Sequence, residues 1–146
     1  EGSIWEAVEA AAHHRVSNLA CVLDLNRLGQ RGPTMHGWDA DVFVARAQAY
    51  GWHALSIDGH DVTAIDAAYR SAAEADRPTM IVARTGKGHG VAEVANQDGW
   101  HGKAFPEDLA ARAIEELGGV RSLTITPQKP EPWMPAGRVA PAGAPS

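Results

Sequence analysis

Cysteine is nearly absent from this sequence, because the chain contains only Cys21. No disulfide and no cysteine-based zinc site can therefore form within one chain. Cys21 lies in an apolar run, where we expect its thiol to pack as a small apolar group. Such sparing use of cysteine is typical of a reducing compartment, so the cytoplasm is the expected location.

Positive charge is also scarce. The formal net charge is -5 at pH 7, and lysine and arginine form no cluster along the chain. Such a chain presents no electrostatic footprint for nucleic acid or for an anionic membrane surface. No apolar run approaches the ~20 residues needed to span a bilayer, and no signal-peptide pattern is present. We therefore expect neither nucleic acid nor a membrane as a partner.

Apolar residues do recur at regular spacing, and helical patterns alternate with short apolar runs. The predicted elements, in order, are a helix over 3–14, a strand over 19–23, a helix from 39 or 41 to 50, a strand over 53–57, a helix over 62–75 capped at 61, a strand over 79–83 and a helix over 109–117. This order predicts an α/β fold, a parallel twisted sheet with helices on both faces. The runs 19–23 and 79–83 are apolar throughout, which predicts strands buried on both faces.

The chain divides into two regions by composition. We expect residues 1–122 to form one partial domain, and residues 123–146, where Pro, Ala and Gly dominate, to form a linker or tail. The chain begins at Glu1 without Met and enters a helical pattern almost at once. This beginning indicates a piece of a longer protein, with the fold incomplete at its N-terminal side.

Polar residues follow the first predicted strand, where open α/β sheets bind their ligands. Asp24, Asn26, Gly29 and Gln30 lie there. An asparagine oxygen and a loop carbonyl such as that of Leu28 are ligands that suit Mg²⁺, so a magnesium-held phosphate group is the natural prediction. Taken alone, the same residues are also typical of a plain turn.

A glycine-rich segment after the strand over 79–83 carries Lys87, and a later loop carries His101 between glycines and beside Trp100. Bare backbone amides and an ammonium group suit an oxyanion, although no Ser or Thr follows the lysine as a P-loop requires, and a solvated loop is the alternative. A histidine can act as acid, base or donor near neutral pH, or be structural. Because Asn26, Lys87 and His101 all follow strand ends, we expect them at one edge of the sheet.

The remaining histidines show no metal-binding spacing and are expected to be structural or on the surface: His13, His14, His36, His53, His60 and His89.

Taken together, the motifs resemble the thiamine-diphosphate-binding domain of transketolase. The resemblance covers roughly residues 1–118, and several motifs in one order are far more specific than any single glycine pattern. The matching segments are EGSIWEA at 1–7, LDLNRLGQ at 23–30, YGWH at 50–53, IDGHD at 57–61, ARTGKG at 83–88 and GWHGK at 99–103.

The resemblance implies roles for the residues at the predicted sheet edge. Asn26 corresponds to the side-chain ligand of the Mg²⁺ (or Ca²⁺ or Mn²⁺) that holds the cofactor diphosphate, and Leu28 supplies its carbonyl to the same ion. Gln30 corresponds to a residue beside thiamine diphosphate. Lys87 and His101 correspond to a pair that contacts cofactor and substrate, with His101 as the catalytic residue that polarises sugar oxygens and assists proton transfer.

The resemblance also implies an activity and partners. Glu1 and Glu6 look like the glutamates that connect two active sites across a homodimer. The family's reaction transfers a two-carbon ketol unit from a ketose phosphate to an aldose phosphate, a transferase step of the pentose phosphate pathway. A pyrimidine-binding domain of the same protein or of a second chain is the implied partner, and the family's Gly-Asp-Gly, which carries a further metal ligand, would precede Glu1. We therefore expect this chain to be inactive by itself.

Other readings of the motifs remain open at this point. A dihydroxyacetone synthase or a deoxyxylulose-phosphate synthase would use the same cofactor. A doubly wound binding module without catalysis would share the fold alone.

Overall fold

A computed structural model describes residues 2–129 of the chain. The described residues form an α/β fold, as the alternating pattern predicts. Its elements, in chain order, are α1 (Gly2–His13), β1 (Ala20–Leu25), α2 (Ala40–Ala49), β2 (His53–Asp58), α3 (Val62–Glu74), β3 (Thr79–Arg84) and α4 (Glu107–Glu116). None of these helices is both long and apolar enough to cross a membrane.

The strands form a 3-stranded parallel sheet in the order β1-β3-β2. Their register is aligned, since Leu25 of β1 and Asp58 of β2 both pair with Arg84 at the end of β3. Strands that start together and run parallel also end together. The carboxyl ends of all the described strands therefore lie along one edge of the sheet.

The core sits on both sides of β3, whose residues from Thr79 to Ala83 are all buried. One face is covered by α1 and α2, and Trp52 links them to the sheet by donating its indole N–H to the carbonyl of Val8 at 2.8 Å. On the opposite face, Ile65 and Tyr69 of α3 lie beside Ile81. The predicted helices on both faces are thus confirmed.

The prediction that both apolar runs form fully buried strands is correct for β3 and wrong for β1. Exposed and half-buried residues alternate along β1, and Val22 is 49% exposed. The reason is position, because β1 pairs only with β3 among the described strands and its residues contact the core through one face. Cys21 is half-buried on the covered face, and this burial raises the pKa of its thiol.

The helix boundaries follow their capping residues. Asp61 caps α3 as predicted, because its carboxylate accepts hydrogen bonds from the backbone of Thr63 at 2.8 Å and of Ala64 at 3.3 Å. Asp39 occupies the same position before α2 but forms no such bond. Gly51 ends the turn after α2 with φ +88°, a conformation that favours glycine.

A second, smaller apolar cluster lies beyond the sheet. Val91 and Val94 pack against Leu109 and Ala113 of α4, and Trp100 contacts this cluster. The cluster holds the long loop after β3 in place. Of the predicted linker over 123–146, residues 123–129 are exposed and outside helices and strands, while 130–146 lie outside the described residues. The predicted domain boundary stays a prediction.

Candidate functional site

The three strand ends create a polar cluster along one edge of the sheet. Thr85 follows β3 and donates its hydroxyl to the carboxylate of Asp24 in β1. Its backbone N–H donates to the carbonyl of Leu25 at 3.3 Å, and the N–H of Gly59, after β2, donates to the carbonyl of Arg84 at 2.8 Å. A cleft of about 490 Å³ opens here, lined by Trp38, Ser56, Ile57, Asp58, Arg84, Thr85 and Gly86.

Close contact between the strand ends requires glycine at position 59. A Cβ built on Gly59 would lie 3.1 Å from the Arg84 carbonyl and would also overlap the methyl group of Thr85. Any side chain at this position would therefore have to displace the Thr85 methyl group and shift the Arg84 carbonyl. The DG pair at the end of β2 serves the packing of this edge.

The loop after β1 presents two carbonyl oxygens. Asn26 donates its amide to Asp24 at 3.1 Å, and its Oδ1 accepts from the N–H of Leu28 at 3.0 Å. An amide oxygen has two lone pairs, so Oδ1 can also bind a cation. Backbone hydrogen bonds from Gly29 to Gly32 and from Thr34 to Arg27, both 2.8 Å, close the loop and leave the Leu28 carbonyl without a backbone donor among the described residues.

The loop after β3 brings Lys87 to His101. The Nζ of Lys87 lies 3.2 Å from Nδ1 of His101. An ammonium group can only donate, so Nδ1 accepts this bond and the proton of the neutral imidazole is assigned to Nε2. His101 is exposed, and its Nε2–H is therefore a donor that a ligand can meet.

His60 anchors the loop that carries Lys87. Its Nε2 accepts the backbone N–H of Gly86 at 2.8 Å. The ring stacks on that of His89, with centroids 3.7 Å apart and planes inclined by 16°. The sequence analysis expects His60 to be structural or on the surface, and its contacts lie at the site itself. The signal that identifies it is its position directly after β2, where the strand-end rule applies as it does to Asn26 and Lys87.

The two loops contact each other through residues that the sequence motifs did not single out. Arg27 donates from Nη2 to the carbonyl of Asn96 at 3.0 Å, and the N–H of Asn96 donates to the carbonyl of Lys87 at 2.8 Å. Trp38 donates its indole N–H to the carbonyl of Thr85 at 2.8 Å. We call the resulting group the strand-edge site: Asn26, Leu28, Lys87 and His101, with Arg27, Trp38, His60, Thr85 and Asn96 supporting them.

The structure brings most of the predicted site residues to this edge. Asn26, Leu28, Lys87 and His101 belong to the strand-edge site, and Gln30 is exposed on the same loop as Asn26. Glu6 is exposed on α1, and no hydrogen bond between described residues joins its side chain to the site. Glu1 lies outside the described residues.

The oxygen donors fit a small, hard cation that is shared with a phosphate-bearing ligand. Among residues 2–129, no group of three or more His, Cys, Asp or Glu side chains is placed to hold a metal ion. Mg²⁺ does not need one, since it commonly keeps water and ligand phosphates in its coordination shell. The carbonyl oxygens of Asn26 and Leu28 would supply part of such a shell, and the ammonium group of Lys87 suits the phosphate charge.

Comparison with known proteins gives consistent matches. A family model described as "Transketolase, thiamine diphosphate binding domain" matches residues 1–129. Transketolase from Homo sapiens is 40% identical over 117 residues, which cover 80% of this chain and 18% of the relative. Transketolase-like protein 2 from Mus musculus is 42% identical over 133 residues, which cover 89% of this chain and 21% of the relative.

Solved structures give the same result. Transketolase from Campylobacter jejuni aligns with a TM-score of 0.72 and 28% identity over 82% of this chain and 19% of that one. Transketolase from Pichia stipitis in complex with sedoheptulose 7-phosphate aligns with a TM-score of 0.69 and 30% identity, covering 82% and 18%. The chain thus spans about a fifth of the length of the proteins it matches.

Proposed function

The chain belongs to the family of transketolase thiamine-diphosphate-binding domains, and from this premise we propose that it forms part of an enzyme that transfers a two-carbon ketol unit from a ketose phosphate to an aldose phosphate. The observation that carries the proposal is the meeting of the Asn26 loop with the Lys87–His101 pair at one sheet edge. Residues distant in the sequence supply there a cation site, a positive charge and a proton donor.

The Asn26 loop holds the metal in this proposal. Asn26 through Oδ1 and Leu28 through its carbonyl bind Mg²⁺, for which Ca²⁺ or Mn²⁺ can substitute, and Gln30 lies beside the cofactor. Two carbonyl oxygens do not complete the shell of such an ion, which takes further oxygens from the diphosphate, from water or from other protein groups. The loop itself is held by the hydrogen bonds of Asn26 with Asp24 and Leu28.

Lys87 and His101 handle charge and protons in this proposal. Thiamine diphosphate, when bound, supplies the electron sink for breaking a carbon–carbon bond. The ammonium group of Lys87 occupies Nδ1 of His101, which leaves Nε2–H to donate to a sugar oxygen. A donor held in place before the reaction stabilises charge that develops on that oxygen at no cost in reorganisation.

The remaining parts of the proposal concern partners. Sugar phosphates are the substrates, and structures of the Pichia stipitis relative with xylulose 5-phosphate and sedoheptulose 7-phosphate support this choice. A pyrimidine-binding domain, from the same protein or a second chain, completes the site in a homodimer, with Glu1 and Glu6 at the interface between the two sites. The reaction belongs to the pentose phosphate pathway, and we assign it to the cytoplasm.

A coupled assay on the full-length protein tests the function. Ketol transfer from xylulose 5-phosphate to an aldose phosphate should require both thiamine diphosphate and a divalent cation. Removal of either by dialysis against chelator should abolish transfer, and replacement should restore it. A panel of acceptors separates transketolase from dihydroxyacetone synthase and deoxyxylulose-phosphate synthase. Absence of transfer with every ketose phosphate tried would contradict the proposal.

The chain alone offers a complementary test. Because it supplies only part of the metal shell, we expect residues 1–146 by themselves to bind thiamine diphosphate weakly and to be inactive. Isothermal titration with and without Mg²⁺ measures this directly. Tight, Mg²⁺-dependent binding by the isolated chain would overturn the expectation that it needs a partner.

A further inference from the structure

The contact between Arg27 and Asn96 is the most direct link between the two loops of the strand-edge site. Arg27 is the covalent neighbour of Asn26, and the N–H of Asn96 is bonded to the carbonyl of Lys87. The guanidinium group spans the gap by donating to the Asn96 carbonyl at 3.0 Å. A shift of either loop must therefore move the other or break this bond.

The ring of Trp38 packs against the guanidinium group of Arg27 and limits its orientation. The Cζ of Arg27 lies 4.9 Å from the centre of the Trp38 ring. The indole N–H is in turn bonded to the carbonyl of Thr85, the residue that also binds Asp24. A planar guanidinium stacked on a ring and bonded at its edge has a defined orientation, which a lysine ammonium would lack.

Two features of the Arg27–Asn96 contact are unfavourable for stability. Both residues have left-handed backbone conformations, with φ 63° at Arg27 and 57° at Asn96. This conformation is uncommon for arginine, whereas asparagine adopts it more readily. In addition, the Nε of Arg27 and the Oδ1 of Asn96 are buried without a hydrogen-bond partner among the described residues. Strain and unpaired polar atoms that persist in one place indicate a functional constraint rather than a stabilising one.

We propose that Arg27 is a positioning residue that fixes the Asn26–Leu28 metal loop relative to Lys87 and His101. The inference rests on the proposed function, and it adds a residue that sets the distance between the bound cation and the His101 proton donor through its bond to the Asn96 carbonyl. Loss of the Arg27 side chain would leave every predicted ligand in the sequence but would remove the link next to Asn26. A second bond between the loops, from the N–H of Gly32 to the carboxylate of Asp98 at 3.2 Å, would remain.

The first experiment measures, in the absence of any ligand, whether the Arg27 side chain affects its contact with Trp38. Arg27→Met keeps the length of the side chain and removes its donors and charge. Arg70→Met is the matched control, since the side-chain contact of Arg70 among residues 2–129 is an exposed ion pair with Asp66 on α3. The indole N–H signals of the full-length protein are recorded by NMR, with Trp38 and Trp52 assigned through Trp38→Phe and Trp52→Phe. We expect Arg27→Met to shift the Trp38 signal, and Arg70→Met to leave it unchanged.

Trp52 provides the internal standard for that experiment. Its indole N–H is bonded to Val8 in the sheet core, far along the chain from Arg27. A shift of Trp38 with Trp52 unchanged indicates that the Arg27 side chain acts on this edge and not on the whole fold, and the second experiment tests whether that action positions the metal loop. Equal shifts of both signals would indicate a general loss of structure, and no shift of either would show that Arg27 does not fix this edge. Both results would overturn the proposal.

The second experiment connects the coupling to the site. In the full-length protein, the Mg²⁺ concentration for half-maximal thiamine diphosphate binding should rise by about 10–100-fold in Arg27→Met, the range typical of residues that orient metal ligands. Arg70→Met should match the natural protein. An unchanged Mg²⁺ requirement in Arg27→Met would refute the positioning role while leaving the proposed function intact. Absence of binding by the natural protein would instead refute the proposed function, and the positioning role with it.

Discussion

The sheet and its carboxyl edge are held together in different ways. At the centre of the sheet, Ile81 is 1% exposed and Val82 is not exposed at all. Val82 packs with residues of α1 and α2, and Ile81 lies beside residues of α3. At the edge, Asn26 and Lys87 are only half-buried, His101 is exposed, and directional hydrogen bonds hold them. The two regions therefore depend on different physical terms.

This difference separates stability from function. Apolar burial is the dominant favourable term in folding, so the sheet supplies most of the stability. Among the described residues, the edge carries a left-handed backbone at Arg27 and buried polar atoms without a partner at Arg27 and Asn96. The sheet carries a single such atom, the hydroxyl of Thr79 in β3. Substitutions in the sheet should therefore lower stability, and substitutions at the edge should lower binding or turnover while leaving stability nearly unchanged.

The largest expected effect is on turnover at the edge. His101→Ala should lower kcat of the full-length protein by about 10²–10⁴-fold, the range for loss of a positioned proton donor or acceptor. Cofactor affinity should fall much less. His14→Ala, at an exposed position after α1, is the control for loss of an imidazole. Equal losses of kcat and cofactor affinity in His101→Ala would contradict the assigned role.

The sheet should show the opposite behaviour. Ile81→Ala should lower the free energy of unfolding by about 3 kcal/mol, because it leaves a cavity in a fully packed core. The control, Val62→Ala, lies at a position that is 77% exposed and should stay within about 0.5 kcal/mol. Urea unfolding followed by circular dichroism measures both. If Ile81→Ala lowered the free energy of unfolding by less than Val62→Ala does, β3 would not be the centre of the core.

Metal binding at the edge should be sensitive to Asn26. Asn26→Ala should weaken Mg²⁺-dependent cofactor binding by about 100-fold or more, since even residues that only orient metal ligands cost about 10–100-fold. The midpoint of urea unfolding should hardly change. Asn18→Ala, in the exposed turn before β1, is the matched control. Binding curves that superimpose for Asn26→Ala and the natural protein would remove Asn26 from the metal site.

The capping of α3 gives a smaller effect within the scaffold. Asp61→Ala should cost about 1 kcal/mol of unfolding free energy, because the N–H groups of Thr63 and Ala64 lose their acceptor. Asp39→Ala removes a carboxylate from the same position of α2, where it caps nothing, and should cost less. A larger loss of unfolding free energy in Asp39→Ala than in Asp61→Ala would contradict the capping geometry.

The smallest effect concerns acid stability at the far side of the long loop. The hydrogen bond from Arg112 lowers the pKa of Asp108 below its usual value. A carboxylate whose pKa is depressed by folding stabilises the protein above its unfolded pKa of about 3.9 and loses this contribution as the pH falls through the folded value. The melting temperature of Asp108→Asn should therefore be slightly below that of the natural protein at pH 7, and the two should converge as the pH falls through the lowered pKa of Asp108. A difference in melting temperature between the two proteins that grows as the pH falls would contradict this prediction.

Sequence patterns were sufficient to predict the elements and the edge at which the site forms. The alternation of helical and strand periods locates all the described helices and strands, since each pattern depends on neighbouring residues only. The burial of β1 was predicted wrongly because an apolar run of this length does not reveal that its strand lies at the side of the sheet.

The supporting contacts of the site could not be predicted. Arg27 and Asn96 are separated by 69 residues, and Trp38 and Thr85 by 47. Sequence spacing predicts neither contact, because each depends on how two irregular loops pack against the edge of the sheet. The proposed site residues Asn26, Lys87 and His101 could be selected because each follows a strand or resembles a motif, whereas the residues in contact with them carry no local signal.

One measurement tests the central claim, that Asn26, Lys87 and His101 gather around a single bound thiamine diphosphate. A crystal structure of the full-length protein with thiamine diphosphate and Mn²⁺ would locate the metal by its anomalous signal. We predict that the signal lies against Oδ1 of Asn26 and the carbonyl of Leu28, with the same cofactor molecule in contact with Lys87 or His101. A metal and cofactor bound away from the carboxyl edge of the sheet would contradict the account.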